Sequence, residues 1–254
     1  MGEMSQDSGN DGRAVIGLHG WFGSATAWQP LAAHLENSQF GYHFMDFRGY
    51  GSRAGASGRF TIAEAAADVL EFADELGLER FCLLGHSMGG SVMQRVYADA
   101  PERVRAMFGI SPVPASGIPF DDATWELFRS AADSADVRRQ IIDFTTGGRL
   151  EPRQLDAMVE HSVRNSEVPA VTAYLEAWAS TDFHAEINGS RVPVKVLIGR
   201  NDPAVHAELI RSTFGQWYPH FDLIEFAGAG HYAAEEVPER TAEVIEEFLR
   251  DAAG

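Results

Sequence analysis

Cysteine is almost absent from this sequence of 254 residues, which contains a single one, Cys82. One thiol cannot form an internal disulfide and cannot supply a cysteine-rich metal site. Long apolar runs are absent as well, since none approaches the roughly 20 residues that a membrane-spanning helix needs. Residues 1–12 are polar and have neither a cationic start nor an apolar stretch. We therefore expect no secretory signal and a cytoplasmic location.

Positive charge is also scarce. The chain has 20 Lys and Arg residues against 37 Asp and Glu residues, which gives a formal net charge of −17 and a pI near 4.8. Such a chain repels phosphate backbones and anionic lipid surfaces, so we expect neither nucleic acid nor a membrane among its partners. Hydrophobic residues make up 45% of the sequence, which excludes wholesale disorder. The length fits one large domain, or a core that carries a sizeable insertion.

Short apolar runs alternate with longer stretches of helical period, which predicts a mostly parallel sheet covered by helices. The candidate strands are 14–18, 42–46, 81–84, 104–110, 194–198 and 221–226. Thr61 and Glu64 form a capping box ahead of an amphipathic helix. Further helices are predicted at 25–35, 87–99, 204–214 and 239–251. About a dozen residues precede the first strand, which leaves room for one short edge strand at most.

Strand patterns disappear between Ile110 and Val194. Four amphipathic helices are predicted there instead, at 122–132, 136–144, 152–164 and 169–180. Proline-rich and glycine-rich segments mark the entry and the exit. We interpret residues 111–190 as a helical cap, inserted into a core that residues 1–110 and 191–254 form together.

A serine lies in the sequence G-H-S-M-G-G at 85–90, between a predicted strand and a predicted helix. This matches the G-x-S-x-G nucleophile elbow in its required context. A strand that turns abruptly into a helix strains the serine backbone, and glycines on either side let the two backbones pass closely. We predict Ser87 as a nucleophile; the alternative is a tight turn with an idle serine.

A serine nucleophile needs a base, and the base needs an acid to orient it. Among nine histidines, His231 has the most suitable setting, in a glycine-rich loop after the last predicted strand. Asp202 follows the strand at 194–198, at the end of the sheet where such folds place ligands. We predict His231 as the base and Asp202 as the acid, although Asp202 could instead cap the next helix. Glu235 and Glu236 are predicted to lie on a solvated turn.

Two backbone N–H groups are predicted to form an oxyanion hole. One donor is expected from Met88, which follows the proposed nucleophile. The other is expected from Trp21, in the sequence H-G-W-F-G at 19–23 after the first strand. His19 is expected to hold this loop by hydrogen bonds.

In combination, these motifs resemble the α/β-hydrolase fold and its serine carboxylesterases. The resemblance rests on H-G at 19–20, D-F-R-G-Y-G at 46–51, G-H-S-M-G-G at 85–90, G-R-N-D at 199–202 and G-H at 230–231. It spans nearly the whole chain and implies a mostly parallel central sheet with helices on both faces and a helical cap. In its length and in the short segment before its first predicted strand, the chain is similar to pimeloyl-carrier-protein methyl esterases, small aryl esterases and cofactor-free perhydrolases.

The resemblance implies a serine hydrolase that cleaves carboxylic esters through an acyl-enzyme, with no cofactor and no metal. A lactonase or cofactor-free perhydrolase with the same three catalytic residues is an alternative. A ligand-binding receptor or scaffold on the same fold, with little turnover, is another. The expected partner is a small-molecule ester, and the expected assembly is a monomer or a homodimer.

Aromatic residues of the cap and the loops predict the character of the substrate. A cap laid over the site has one face on it, so small to medium apolar or aromatic groups are expected there. The predicted substrate-binding residues are Phe22, Trp125, Phe128, Phe144, Trp178 and Tyr232. The cap is predicted to set acyl selectivity and to contribute nothing to the catalytic residues.

Overall fold

The computed structural model of the protein describes residues 13–253. The predictions that fall on residues 1–12, namely the lack of a secretory signal and at most one short edge strand, lie outside the described residues. Within residues 13–253, no helix is both long and apolar enough to cross a membrane.

Six parallel strands form one sheet in the described part of the chain, in the order β2-β1-β3-β4-β5-β6. Strands β1, β3 and β4 are buried along almost their whole length, because helices cover both faces of the sheet. The strands are β1 Ala14–Leu18, β2 Gly41–Met45, β3 Phe81–His86, β4 Val104–Ile110, β5 Val194–Gly199 and β6 Phe221–Phe226. Each lies within two residues of its predicted bounds.

Helices on the two faces of the sheet enclose two apolar clusters. Those of the core are α1 Gln29–Ala32, α2 Ile62–Glu75, α3 Met88–Asp99, α9 Ala207–Ser212, α10 Phe214–Trp217, α11 Ala233–Glu236 and α12 Pro238–Ala253. The predicted cap of α2 is present, since Thr61 Oγ1 accepts a hydrogen bond from Glu64 N–H at 3.1 Å. The mostly parallel sheet with helices on both faces confirms the predicted fold class.

The connection from β4 to β5 consists of helices joined by loops. In the described residues it contains α4 Asp122–Ser130, α5 Ala135–Thr145, α6 Pro152–Arg164, α7 Val168–Ser180 and the short α8 His184–Ile187. The first four correspond to the predicted helices, and α8 was not predicted. Helix α7 buries Tyr174 and Trp178, so this connection shares the core cluster of the sheet. The division of the chain into a core and a cap at 111–190 stays a prediction.

Candidate active site

Ser87 occupies the sharp turn between β3 and α3. Its backbone has φ 51° and ψ −117°, a conformation that non-glycine residues rarely adopt. Three backbone hydrogen bonds hold it there: Ser87 N–H donates to Ile110 O at 3.0 Å, and Ser87 O accepts from Gly90 N–H at 2.8 Å and Val113 N–H at 2.9 Å. The strained turn predicted at 85–90 is therefore present, and the N-terminus of α3 lies at the serine.

Glycines around this turn allow close backbone contacts. A Cβ atom on Gly89 would lie 2.2 Å from Leu18 O at the end of β1. A Cβ atom on Gly20 would lie 3.2 Å from Ser87 Cβ, which is tighter than most real contacts. The loop after β1 therefore reaches Ser87 because neither position carries a side chain.

His231 and Asp202 form a buried pair beyond the ends of β6 and β5. His231 Nδ1 lies 2.6 Å from Asp202 Oδ2, and the Asp202 side chain is 0% exposed. The other oxygen, Oδ1, accepts hydrogen bonds from Ala204 N–H at 2.9 Å and Val205 N–H at 3.1 Å. An ionised carboxylate can only accept, so His231 Nδ1 is the donor and Nε2 is left as the acceptor. Asp202 thus orients the imidazole and also caps the turn that follows it.

The loop that carries His231 is bonded to the helical connection. His231 N–H donates to Thr145 O, at the end of α5, at 3.0 Å. A Cβ atom on Gly230 would lie 2.6 Å from Thr146 Cα, so this approach requires a glycine. The predicted cap therefore contacts the backbone of His231, although it holds neither His231 nor Asp202.

Glu236 reaches back to the same loop. Its Oε2 accepts from Gly230 N–H at 2.9 Å, and its Oε1 accepts from Tyr232 N–H at 3.0 Å. The solvated turn predicted for Glu235 and Glu236 is wrong, since the Glu236 side chain is 4% exposed. Helix α11 begins directly after Tyr232, and within it the Glu235 side chain is half-buried and that of Glu236 is almost fully buried. Burial raises the pKa of Glu236, and burial together with Glu236 raises the pKa of Glu235 to about 8.

His86 supports the histidine loop from the side of the elbow. Its Nε2 donates to His231 O at 3.1 Å, and the centroids of the two imidazole rings lie 5.1 Å apart. Burial, together with the neighbouring His231, lowers the pKa of His86 to about 3. His86 is therefore in its neutral form near pH 7.

The two backbone N–H groups predicted to form an oxyanion hole are unpaired in the described residues. Within residues 13–253, the N–H groups of Trp21 and Met88 have no hydrogen-bond partner. Met88 is the first residue of α3, where N–H groups lack partners within the helix and carry positive potential. Trp21 is fixed by its indole, whose Nε1–H donates to Val171 O at 2.8 Å.

His19 holds the loop after β1, as predicted. Its Nε2 accepts from Phe47 N–H at 3.1 Å, and its Nδ1 donates to Gly20 O at 2.8 Å. Burial lowers the pKa of His19 to about 4, which keeps it in the neutral form that both bonds require. Phe47 belongs to the D-F-R-G-Y-G segment at 46–51, whose role here is structural.

An apolar cavity of about 220 Å³ opens beside Ser87 and His231, both of which line it. Its walls come from the loop after β1, from the helical connection and from the segment after β5. Five of the predicted substrate-binding residues line it: Phe22, Phe128, Phe144, Trp178 and Tyr232. Within the described residues, no hydrogen bond joins the Ser87 hydroxyl to the His231 ring. Such bonds are often long without substrate and shorten when it binds.

Trp125 is not among the residues that line the cavity, and its role in substrate binding stays a prediction. Its ring instead lies under the Arg129 guanidinium, 4.7 Å from ring centroid to carbon, and meets Phe120 edge-on. Thr124 and Phe128 occupy the inner face of α4, and Trp125 is rotated from Thr124 by about 100°. The aromatic content of this helix was visible in the sequence, but its rotation was not.

Further lining residues were not predicted. They are Gly20, His86, Val113, Ile118, Phe120, Thr124, Ile141, Thr145, Ala204 and Val205. Ala204 and Val205 come two and three residues after Asp202, and His86 precedes Ser87, so their places in the chain were usable signals. Gly20 belongs to the loop after β1, and the other six reach the cavity through the packing of the helical connection.

Comparisons with known proteins agree with this fold. Residues 13–238 match the alpha/beta hydrolase fold family. The chain is 28% identical over 245 residues to the dihydrolipoyllysine-residue acetyltransferase component of the acetoin cleaving system of Cupriavidus necator, covering 90% of this chain but 61% of that protein. It is 27% identical over 253 residues to the pimeloyl-[acyl-carrier protein] methyl ester esterase of Yersinia enterocolitica, covering 94% of this chain and 93% of the esterase.

A solved structure extends the likeness to three dimensions. Carboxylesterase CesB (YbfK) from Bacillus subtilis superposes with a TM-score of 0.75 at 26% identity, covering 94% of this chain and 84% of the esterase chain. The resemblance drawn from the sequence motifs is confirmed, and this chain belongs to the alpha/beta hydrolase fold family.

Proposed function

We propose that this protein hydrolyses carboxylic esters of small to medium apolar or aromatic groups through an acyl-enzyme. The main support is the arrangement of a strained Ser87 and a buried Asp202–His231 pair around one apolar cavity. As a carboxylic ester hydrolase, it shares the enzyme class named for its Yersinia enterocolitica and Bacillus subtilis relatives.

In the first half of the reaction, Ser87 Oγ attacks the ester carbonyl carbon and His231 Nε2 takes the hydroxyl proton. Asp202 stabilises the imidazolium that forms. The carbonyl oxygen becomes an oxyanion, which the N–H groups of Trp21 and Met88 bind. His231 then donates its proton to the departing alkoxide, the alcohol leaves, and the acyl group remains on Ser87.

In the second half, a water molecule attacks the acyl carbon while His231 takes its proton. The second oxyanion collapses, Ser87 Oγ leaves and regains the proton from His231, and the carboxylic acid is released. No electron transfer is involved, so the cycle balances with ester and water alone.

The apolar cavity is proposed to hold the acyl group. Burial of one methylene contributes about 0.8 kcal/mol, which corresponds to about fourfold in kcat/KM. We expect p-nitrophenyl esters to improve by about this factor per added methylene until the cavity of about 220 Å³ is filled. Longer chains should then lose activity.

The test combines labelling with turnover. An organophosphonate should add one mass increment to the peptide that contains Ser87, and Ser87→Ala should lower kcat by a factor on the order of 10⁴. Ser91→Ala is a matched control, because Ser91 is a buried serine of α3, the helix that follows Ser87, and its hydroxyl has no hydrogen-bond partner in the described residues. Label on another peptide would contradict the assignment of Ser87 as the nucleophile.

Two further measurements test the alternative functions. Lactones assayed beside the esters distinguish an esterase from a lactonase, and bound product without turnover would indicate a receptor.

A further inference from the structure

We propose that Glu236 is a positioning residue, whose carboxylate holds the backbone on both sides of His231 and thereby fixes where the imidazole lies. The inference rests on the proposed function, in which His231 is the base. Glu236 touches neither substrate nor Ser87 in this account, and it acts through the histidine loop.

The geometry is that of a clamp with two points of contact. Glu236 Oε2 accepts from Gly230 N–H at 2.9 Å and Oε1 accepts from Tyr232 N–H at 3.0 Å, so one side chain binds the residues before and after His231. Only an ionised carboxylate offers two oxygens that both accept and neither donate. Hydrogen bonds to a charged group are about twice as strong as neutral ones.

The backbone N–H and carbonyl groups of His231 itself are hydrogen-bonded as well. His231 N–H donates to Thr145 O, and His231 O accepts from His86 Nε2. Three successive N–H groups, at 230, 231 and 232, therefore have partners, and Glu236 binds two of them. A shift of the imidazole along the sheet edge requires at least one of these bonds to break.

The surroundings of Glu236 identify it as a bonded group rather than a surface charge. Its side chain is almost fully buried, and Arg149 Nη1 lies 3.7 Å from its Oε2. Burial raises the pKa of Glu236, whereas the two N–H groups, Arg149 and His231 lower it. The neighbouring Glu235 is half-buried, and its carboxyl oxygens have no hydrogen-bond partner among the described residues.

Two variants test the clamp. Glu236→Gln keeps the shape but turns one oxygen into an NH₂ group that faces a backbone N–H, so one of the two bonds is lost. Glu236→Ala loses both. A displacement of about 1 Å can cost about 100-fold in rate, so we expect kcat to fall about tenfold in the Gln variant and about 100-fold in the Ala variant, with KM within about twofold. Glu235→Gln is the matched control, with kcat expected within about twofold of wild type.

Further measurements separate positioning from a general loss of structure. The organophosphonate should still label one site per chain in each Glu236 variant, but its rate constant should fall in parallel with kcat. Amide hydrogen exchange at Gly230 and Tyr232 should accelerate, and the apparent pKa of the base in kcat/KM should shift. If the Ala variant fails to fold, the Gln variant decides.

Three results would overturn the proposal. The first is an unchanged kcat in Glu236→Gln. The second is a loss of kcat that is fully explained by a smaller number of labelled sites per chain. The third is a loss of kcat in Glu235→Gln equal to that in Glu236→Gln. If wild-type protein turns over esters and is labelled at Ser87, these results count against the clamp alone. A wild-type protein that is neither labelled nor active would overturn the proposed function together with it.

Discussion

The two carboxylate oxygens of Asp202 have different hydrogen-bond partners. This arrangement determines how the side chain of an asparagine at position 202 would be oriented. The Ala204 and Val205 N–H groups bind Oδ1 and would hold the carbonyl oxygen of an asparagine. Its NH₂ group would then face His231 Nδ1, which lies 2.6 Å from Oδ2 in the wild type. Nδ1 would have to accept, which places the ring proton on Nε2 and prevents His231 from acting as a base.

We therefore predict that Asp202→Asn folds normally and loses a factor on the order of 10³–10⁴ in kcat, measured by steady-state ester hydrolysis. Asp222→Asn is the control, since Asp222 is an exposed residue of β6 paired with Lys195 at 2.9 Å. A variant of Asp202 that kept more than about a tenth of wild-type kcat would require another residue as the acid.

Helix α4 offers a matched pair for the role of the helical connection in selectivity. Phe128 lies on its inner face and lines the cavity, where its ring stacks 5.7 Å from that of Trp21. Trp125 lies on the same helix but outside the cavity.

We predict that Phe128→Ala moves the preferred acyl chain to longer p-nitrophenyl esters by about two methylenes, because the removed ring leaves space that substrate can fill. Trp125→Ala should leave the order of preference unchanged. The measurement is kcat/KM across the ester series for both variants. If Phe128→Ala lowers only the melting temperature, α4 is packing and not a wall of the substrate site.

The loop between β6 and α11 offers a second pair, two glycines two residues apart. A Cβ atom on Gly230 would lie 2.6 Å from Thr146 Cα and 2.8 Å from Thr145 O, both backbone atoms that cannot yield alone. A Cβ atom on Gly228 would have no neighbour within 4 Å.

We predict that Gly230→Ala separates α5 from the histidine loop and lowers kcat at least tenfold, since small displacements of a catalytic group carry large losses in rate. Gly228→Ala should retain wild-type kcat within about twofold. Steady-state kinetics of both variants, with circular dichroism to verify folding, provide the measurement. Equal activity of the two would mean that the contact with α5 does not position His231.

For the molecule as a whole, buried titratable groups make the free energy of unfolding depend on pH. Burial lowers the pKa of His19 to about 4 and that of His86 to about 3, from 6.5. The unfolded chain therefore binds protons that the folded chain does not, and stability falls as the pH drops below 6.5. Glu235 acts in the opposite direction: its folded pKa is about 8 against 4.5, so stability falls as the pH rises from 4.5 to 8.

We predict that Glu235→Gln raises the melting temperature at pH 8 and leaves it unchanged at pH 4.5, because glutamine resembles the protonated acid that the folded chain retains. The gain in the free energy of unfolding at pH 8 should exceed about 1 kcal/mol, since each unit by which folding shifts a pKa corresponds to about 1.4 kcal/mol. Thermal unfolding at the two pH values measures it, with the exposed Glu247→Gln as the control. A gain of equal size at both pH values would show that ionisation of Glu235 is not its cause.

The fold was predictable from the sequence because its signals are local. Apolar runs delimited the strands to within two residues, and G-x-S-x-G at 85–89 identified the elbow because strand, turn and helix are consecutive there. The burial of Glu236 could not be predicted, because it depends on how α11 packs and on Arg149, which lies 236 − 149 = 87 residues earlier. The position of Trp125 outside the cavity lining was not predictable for a related reason, since periodicity identifies a helix but not which of its faces meets a cavity.

The hydrogen bond from His231 to Thr145 O bears on how such enzymes can be rebuilt. A chimera that exchanges residues 111–193 for the corresponding segment of a relative replaces the walls of the acyl cavity, but it also replaces the carbonyl that the histidine loop binds. A replacement segment is therefore compatible only if one of its helices ends with a carbonyl oxygen at the position of Thr145 O. It must also leave room for the backbone at Gly230. Under the proposed function, a segment exchanged to change substrate preference must therefore also preserve the hydrogen bond that holds the His231 backbone.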